Sequence, residues 1–256
     1  MGEIKIVAQL YTLRDECAKD YAGTMRAVAA IGYKYVQVSG FHGLEPQQIR
    51  ETIDDAGMRC VSTHESYDAV TKDLDAVIAR NRILGAETII CPWVPGTREE
   101  TADAATWQAL AAVLNTVGRA VRKAGLTFGY HNHDHEFRIF NGRYGMDILM
   151  EGADPENVAL ELDAGWAWFA GVDPAAYLRK YPGRAPIIHA KDHDTADKTK
   201  NRPVGDGALN WPPFWDACRA VGTSYAAVEE DTCILPPIES MARSFNNMVA
   251  MGLSAE

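Results

Sequence analysis

Apolar runs of five or six residues recur along the chain, and most follow a helical stretch that a glycine closes. The pattern reads AVAAIGYKYVQV around Gly32, TIDDAGMRCVST around Gly57 and RILGAETIIC around Gly85, then VRKAGLTFGYH around Gly125 and CRAVGTSYAAVEE around Gly222. Glycine just past a helix supplies the left-handed residue that stops it. Near-continuous apolar runs are what parallel strands need when both faces are covered. Three further runs lack the glycine: Ile4–Gln9, Val158–Asp163 after Asp154-Pro155, and Pro186–Ala190 after Tyr181-Pro182-Gly183. Helix starts fall between the runs. Thr97-Arg98-Glu99-Glu100 reads as a capping box opening a helix to about Lys123, Asp173-Pro174 as a cap followed by proline, and Glu45-Pro46 as a weaker version.

Eight strand–helix units at spacings of about 25 to 40 residues predict an α/β protein, a (β/α)8 TIM barrel. The alternative, an open doubly wound sheet, lacks its signature, since no GxGxxG follows the first strand. No linker or charge block divides residues 1–256, so the expectation is a single domain.

Composition narrows the function classes. The chain has 256 residues, 47% of them hydrophobic, with 35 acidic against 25 basic residues and a net charge of −10. That balance weighs against nucleic acid as a partner. No apolar stretch approaches a membrane span, and MGEIKIVAQL lacks a signal-peptide core, so the expected setting is the cytoplasm with no membrane partner. The five cysteines (Cys17, Cys60, Cys91, Cys218, Cys233) have no CxxC spacing and read as buried free thiols. Of seven histidines, His131, His133, His135, His189 and His193 lie in one quarter of the chain.

In a barrel of this kind the chemistry collects at the C-terminal ends of the strands. The first three strands end in Gln9 with Tyr11, in Gln37, and in His64-Glu65. Strand 4 ends at Cys91-Pro92-Trp93 and strand 5 at His131-Asn132-His133. Strand 6 ends at Asp163, strand 7 at His189 and Lys191, and strand 8 at Glu229. Strands 5 to 8 thus offer imidazole, carboxylate, imidazole and carboxylate in turn. A mixed N/O set suits one divalent ion, with Mn2+ first and Co2+, Zn2+, Fe2+ or Mg2+ as alternatives, better than Ca2+.

The motifs YHNHDHEF (Tyr130–Phe137), ELDAGW (Glu161–Trp166), HAKD (His189–Asp192), VGDGALNW (Val204–Trp211) and VEED (Val228–Asp231) resemble those of the xylose-isomerase-like TIM barrels. These are the sugar phosphate isomerases and epimerases, and the resemblance spans essentially the whole chain. It implies one divalent metal held by His131 or His133, Asp163, His189 and Glu229. It also implies proton abstraction next to a carbonyl. Glu229 is then the candidate base, His133 or His64 the opposing acid or base, and Lys191 either an oxyanion stabiliser or a partner of Asp192. Tyr11, Gln37, Trp93 and Trp166 are candidate substrate contacts, with Phe41 and Trp168 as further rim aromatics.

Two departures stand out. Where the keto-sugar epimerases have a strand-5 glutamate this chain has histidines, and where relatives have a strand-2 acid it has Gln37. The expected reaction is isomerisation or epimerisation of a keto or aldo sugar. The alternative is β-elimination from a 3-keto-sugar or inosose. The abasic-site nuclease branch is disfavoured by charge and by too few ligands. His193–Asp206, with Lys198, Lys200 and Arg202, reads as a polar lid, and MARSFNNMVAMGL as a closing helix or a subunit interface.

Overall fold

A computed structural model of the chain describes residues 2–256. Eight parallel strands form one sheet: β1 (Lys5–Gln9), β2 (Tyr35–Ser39), β3 (Arg59–His64), β4 (Thr88–Cys91), β5 (Thr127–His131), β6 (Ala159–Glu161), β7 (Ile187–Ala190) and β8 (Tyr225–Val228). They pair in the order β6-β5-β4-β3-β2-β1-β8-β7. The sheet curls round to meet itself. His189 N donates to Leu162 O at 2.9 Å, Leu160 N donates to Arg184 O at 2.8 Å, and Asp163 forms a parallel bridge with His189. The eight strands and their alternation with helices are those expected of a (β/α)8 barrel.

Strand side chains alternate between two cores. Outward residues such as Ile6, Val36, Ile89, Phe128, Leu160 and Ile188 pack under the helices. Inside the barrel a small separate cluster holds Val7, Tyr35, Val61, Ile90, Ile187 and Ala227. Gly129 on β5 makes room in it, because a methyl there would stand 2.7 Å from Ile90 Cδ1. A register shift between Val36 and Gln37 adds a residue to β3, so Val61 joins the inner cluster while the Ser62 hydroxyl still meets Gln37 inside.

Helix ends follow local chemistry, with one displacement. Pro46–Asp55 begins at the Glu45 capping box, and the Asp173 side chain caps Pro174–Leu178. The long helix spans Ala104–Lys123 and is capped by a reciprocal Asp103–Thr106 pair, not by Thr97. Thr97 is buried instead. Its hydroxyl donates to Val94 O and lies 3.0 Å from His135 Nε2, so it fastens the loop after β4 to the 3-10 turn His135–Phe137. The apolar tail forms the helix Pro237–Ala250, whose Met241, Phe245 and Met248 are buried, and so serves as the closing helix. Cys17, Cys60, Cys91 and Cys218 are buried free thiols, whereas Cys233 is half-buried. Among the described residues no helix is long and apolar enough to cross a membrane.

Gly118 tests how tightly the outer layer fits. It sits inside the Ala104–Lys123 helix, where alanine is intrinsically better by about 1 kcal/mol. A methyl there would overlap the backbone carbonyl of Asn157, an overpacking that costs about 1–3 kcal/mol or more. Gly118→Ala is therefore expected to lower the melting temperature by several degrees. A rise in a thermal unfolding scan would refute this packing.

Candidate active site

Following the inward residues up each strand shows how the site is built. Above the apolar tier the next inward residues are polar: Gln9, Gln37, His131, Glu161, His189 and Glu229, all buried. Two positions higher stand His133, Asp163, Lys191 and Asp231. Period-two alternation thus stacks the carboxylates and imidazoles of β5 to β8 in two levels.

Glu161 is the centre of the lower level and is fully buried. Gln37 Nε2 donates to its Oε1 at 2.6 Å, and His64 Nε2 lies 2.7 Å from its Oε2. His131 Nδ1 and His189 Nε2 are each 3.2 Å from the same Oε2. Burial pushes the Glu161 carboxyl up, but His189 and His64 together outweigh it and hold it well below the usual range. Gln37 also donates to Ser62 Oγ at 2.9 Å and accepts from Gln9 at 2.7 Å, so its side chain is committed to the barrel interior.

His189 links the two levels. Its Nε2 faces Gln37 Oε1 at 2.7 Å and its Nδ1 faces Glu229 Oε2 at 3.0 Å, two acceptors that call for a proton on each nitrogen. Burial opposes that charge, but Glu161 and Glu229 raise the ring to about 9. His131 goes the other way. Burial and the neighbouring His189 push it down to about 3, leaving a neutral ring.

In the upper level the Lys191 ammonium, itself without exposure, lies 2.6 Å from Asp231, 2.9 Å from Glu229 and 3.2 Å from Asp163. Its partners are these three carboxylates, not Asp192. Asp192, beyond the end of β7, points the opposite way, where it accepts from the backbone N–H groups of His193, Gly205, Gly207 and Leu209 and from Trp211 Nε1. The HAKD and VGDGALNW motifs are therefore two halves of one hydrogen-bonded loop anchor. Burial pushes the Asp163 carboxyl up, and Lys191 and His189 only partly offset it. Glu229 is held well below its usual range, since Lys191 and His189 outweigh the effect of burial.

His131, Asp163, His189 and Glu229 each present a ligand atom within 4.8 Å of the others. His64, His131, Glu161 and His189 form a second, overlapping group below them. The upper set suits a divalent cation. Asp163 Oδ1 caps the following helix by accepting from Trp166 N at 2.8 Å, while its Oδ2 and His131 Nδ1 make no well-aligned hydrogen bond and have only charged neighbours at 3.2 Å, Lys191 Nζ and Glu161 Oε2. Four carboxylates (Glu161, Asp163, Glu229, Asp231) face only the Lys191 and His189 cations, an excess of negative charge that a metal would relieve.

The cleft above this cluster has a volume of about 210 Å3 and is lined by Tyr11, Ser39, His64, Pro92, Trp93, His131, His133, Glu229 and Asp231. Tyr11 and Trp93 stand at its mouth, 41% and 44% exposed. Gln37 and Lys191 lie beneath the cleft, and Trp166 lies behind His133, with ring centroids 5.8 Å apart. Burial and the His131 ring hold His133 well below its usual value, so it faces the cleft neutral. Phe41 is away from the cleft, under Arg80, and Trp168 stacks on His193. The lid cations are engaged nearby: Arg202 pairs with Asp194, Lys200 with Asp197, and Lys198 donates to Phe169 O. A larger groove of about 350 Å3, with Trp168, Pro174 and Leu209 in its wall, contains none of the clustered residues.

Residues 25–246 match the family model for xylose isomerase-like TIM barrels. The chain belongs to that family. It is 24% identical over 225 residues to the inosose dehydratase of Lacticaseibacillus casei, covering 75% of each protein. It superposes with a TM-score of 0.82 on a solved sugar phosphate isomerase/epimerase from Parabacteroides distasonis ATCC 8503, at 23% identity over 98% of this chain and 96% of that one. The IOLI protein, solved with a bound zinc atom, aligns with a TM-score of 0.75 and 13% identity over 96% and 97% of the two chains.

Any divalent ion that uses His189 must displace its proton. With the ring raised to about 9, that proton is held below pH 9 and lost above it, so affinity should climb about tenfold per pH unit from neutrality and level off near 9. Titration calorimetry in two buffers of different ionisation enthalpy should show about one proton released per ion at pH 7. Affinity independent of pH would remove His189 from the ligand set.

Proposed function

We propose that the chain is a divalent-metal-dependent lyase that eliminates water or an alcohol from a cyclic keto-polyol, an inosose or 3-keto-sugar. One observation carries this reading. A carboxylate, Glu229 just past the end of β8, faces imidazoles on β3 and β5 across the cleft, and one of these, His64, is backed by the buried Glu161 at 2.7 Å. Epimerisation needs two comparable bases on opposite faces of one carbon. Elimination needs an unequal pair: a base for the C–H proton and an acid for the departing oxygen.

Glu229 enters the reaction ionised, because Lys191 and His189 hold its proton affinity down despite burial. It takes the proton from the carbon beside the ketone, and the C–H electrons move into the carbonyl. The enolate then re-forms the ketone as the β-substituent leaves with its bonding pair. His64 donates its Nε2–H to Glu161, which fixes the tautomer; its Nδ1 takes up a proton from solvent before turnover and gives it to the departing oxygen, returning the ring to neutral. His131, Asp163, His189 and Glu229 would hold a divalent ion, most simply Mn2+, which when bound would supply Lewis-acid stabilisation of the charge that develops. Lys191 acts from beneath, keeping Asp163 and Glu229 close together. Tyr11 and Trp93 offer aromatic surfaces to the C–H face of the ring. The inosose dehydratase name of the Lacticaseibacillus casei relative supports the elimination.

The test is incubation of inososes and 3-keto-sugars with the Mn2+-loaded protein in D2O. An unsaturated ketone, seen by its ultraviolet absorbance and by mass, is expected. Deuterium appearing in an isomer with no unsaturated product would favour isomerisation or epimerisation instead. Glu229→Gln should lose about 10²–10⁴ of the turnover, and exhaustive chelation should abolish it. Full turnover in either case sinks the proposal.

A further inference from the structure

A second cavity, also about 210 Å3, opens beside the cleft, and the two share Asp231 in their walls. Trp166 separates them, with His133 5.8 Å away on the cleft side and His193 5.7 Å away on the other. Phe169 completes an aromatic wall, its ring 5.4 Å from Trp166 and 5.6 Å from His193. Lys198 Nζ lies 4.5 Å over the Phe169 ring and brings a cationic donor to the rim. Each cavity alone is below the roughly 300 Å3 at which sites for drug-sized ligands begin, whereas the two together exceed it.

The wall also carries unmet hydrogen-bond capacity. His193 is 1% exposed, and its Nδ1 lies 2.7 Å from Lys198 O. A carbonyl only accepts, so Nδ1 bears the proton and Nε2 is left with a lone pair. Neither that Nε2 nor Trp166 Nε1, which only donates, has a partner, and both are buried. One acceptor, one donor and three aromatic rings match a body that is apolar on its face and hydroxylated at its edge.

We propose that this side cavity is a subsite for a second sugar ring, so that the substrate is a two-ring keto-glycoside with its reacting ring in the main cleft. The inference rests on the reading of that cleft as a keto-polyol site. None of the clustered titratable residues except Asp231 reaches the side cavity, which therefore confers recognition and no chemistry.

The experiment compares 3-keto-cellobiose with methyl 3-keto-glucoside on the metal-loaded enzyme, with Phe169→Ala as the probe variant. The wild type should prefer the disaccharide in kcat/KM by about tenfold or more, a size set by ring stacking. Phe169→Ala should erase most of that preference and leave the methyl glycoside unchanged, which also shows that the variant folds. Calorimetric binding of both ligands to Glu229→Gln, alone and combined with Phe169→Ala, separates the two ideas. Tighter binding of the disaccharide that depends on Phe169 supports the subsite even if neither ligand is turned over. Equal affinity for the two ligands, or equal loss for both in the Phe169 variant, overturns it.

Discussion

A carboxylate with no access to water stands in the middle of the barrel, and the polar interior is arranged around it. Glu161 has an amide and an imidazole within 2.7 Å and two further imidazoles at 3.2 Å. Leaving such a group unpaired would cost several kcal/mol, so its neighbours have little choice of position. Gln37 must donate downward, which turns its carbonyl toward His189. His64 must present Nε2 to the carboxylate, which leaves Nδ1 for the cleft. The orientation of the reactive edge is thus settled one tier below it.

The same strand logic joins the site to its loop. Just past β7, Lys191 faces inward and holds three carboxylates together, while the next residue, Asp192, faces outward and collects five N–H donors from the segment His193 to Trp211. Two adjacent residues on opposite faces connect the charge cluster to the loop beside the side cavity. Glycine is required within that loop. A methyl on Gly207 would press into the Asp192 carboxylate and the His193 carbonyl, and Gly205 has a φ of +90°. On the other side, Gly165 lets the ELDAGW turn approach within contact of Lys191.

Much of this was legible in the sequence because the period of two and the glycine stops are local signals. The strands and the polar ends on one rim follow from them, whereas the ligand set, with His131 or His133 from strand 5, came only with the family resemblance. Glu161 was overlooked because it lies inside a strand, although its position two residues before Asp163 places both on the inner face. The partner of Lys191 was not readable either, since adjacency in sequence suggested Asp192 and alternation forbids it. The helix start moved from Thr97 to Ala104 because two capping patterns stand in tandem. Thr97 is drawn into a contact with His135 that no local pattern reveals. The bulge in β3 left no mark beyond one extra residue.

The two departures from the epimerase pattern gain a common physical sense from Glu161. Histidine at 131 and glutamine at 37 both stand directly against the buried Glu161 carboxylate. This carboxylate is buried on β6, in contact with both: Gln37 donates to it and His131 lies against it. At 0% exposure, Glu161 cannot reach a substrate proton, and its charge acts only through the groups that cover it. What it orients is the His64 imidazole, whose Nε2 it holds at 2.7 Å. An imidazole held by a carboxylate can carry a proton toward a leaving oxygen, and a lone carboxylate across the cleft can accept one from carbon. An unequal pair has a direction, from C–H to leaving group, and that direction distinguishes elimination from the symmetric exchange of a proton between two faces.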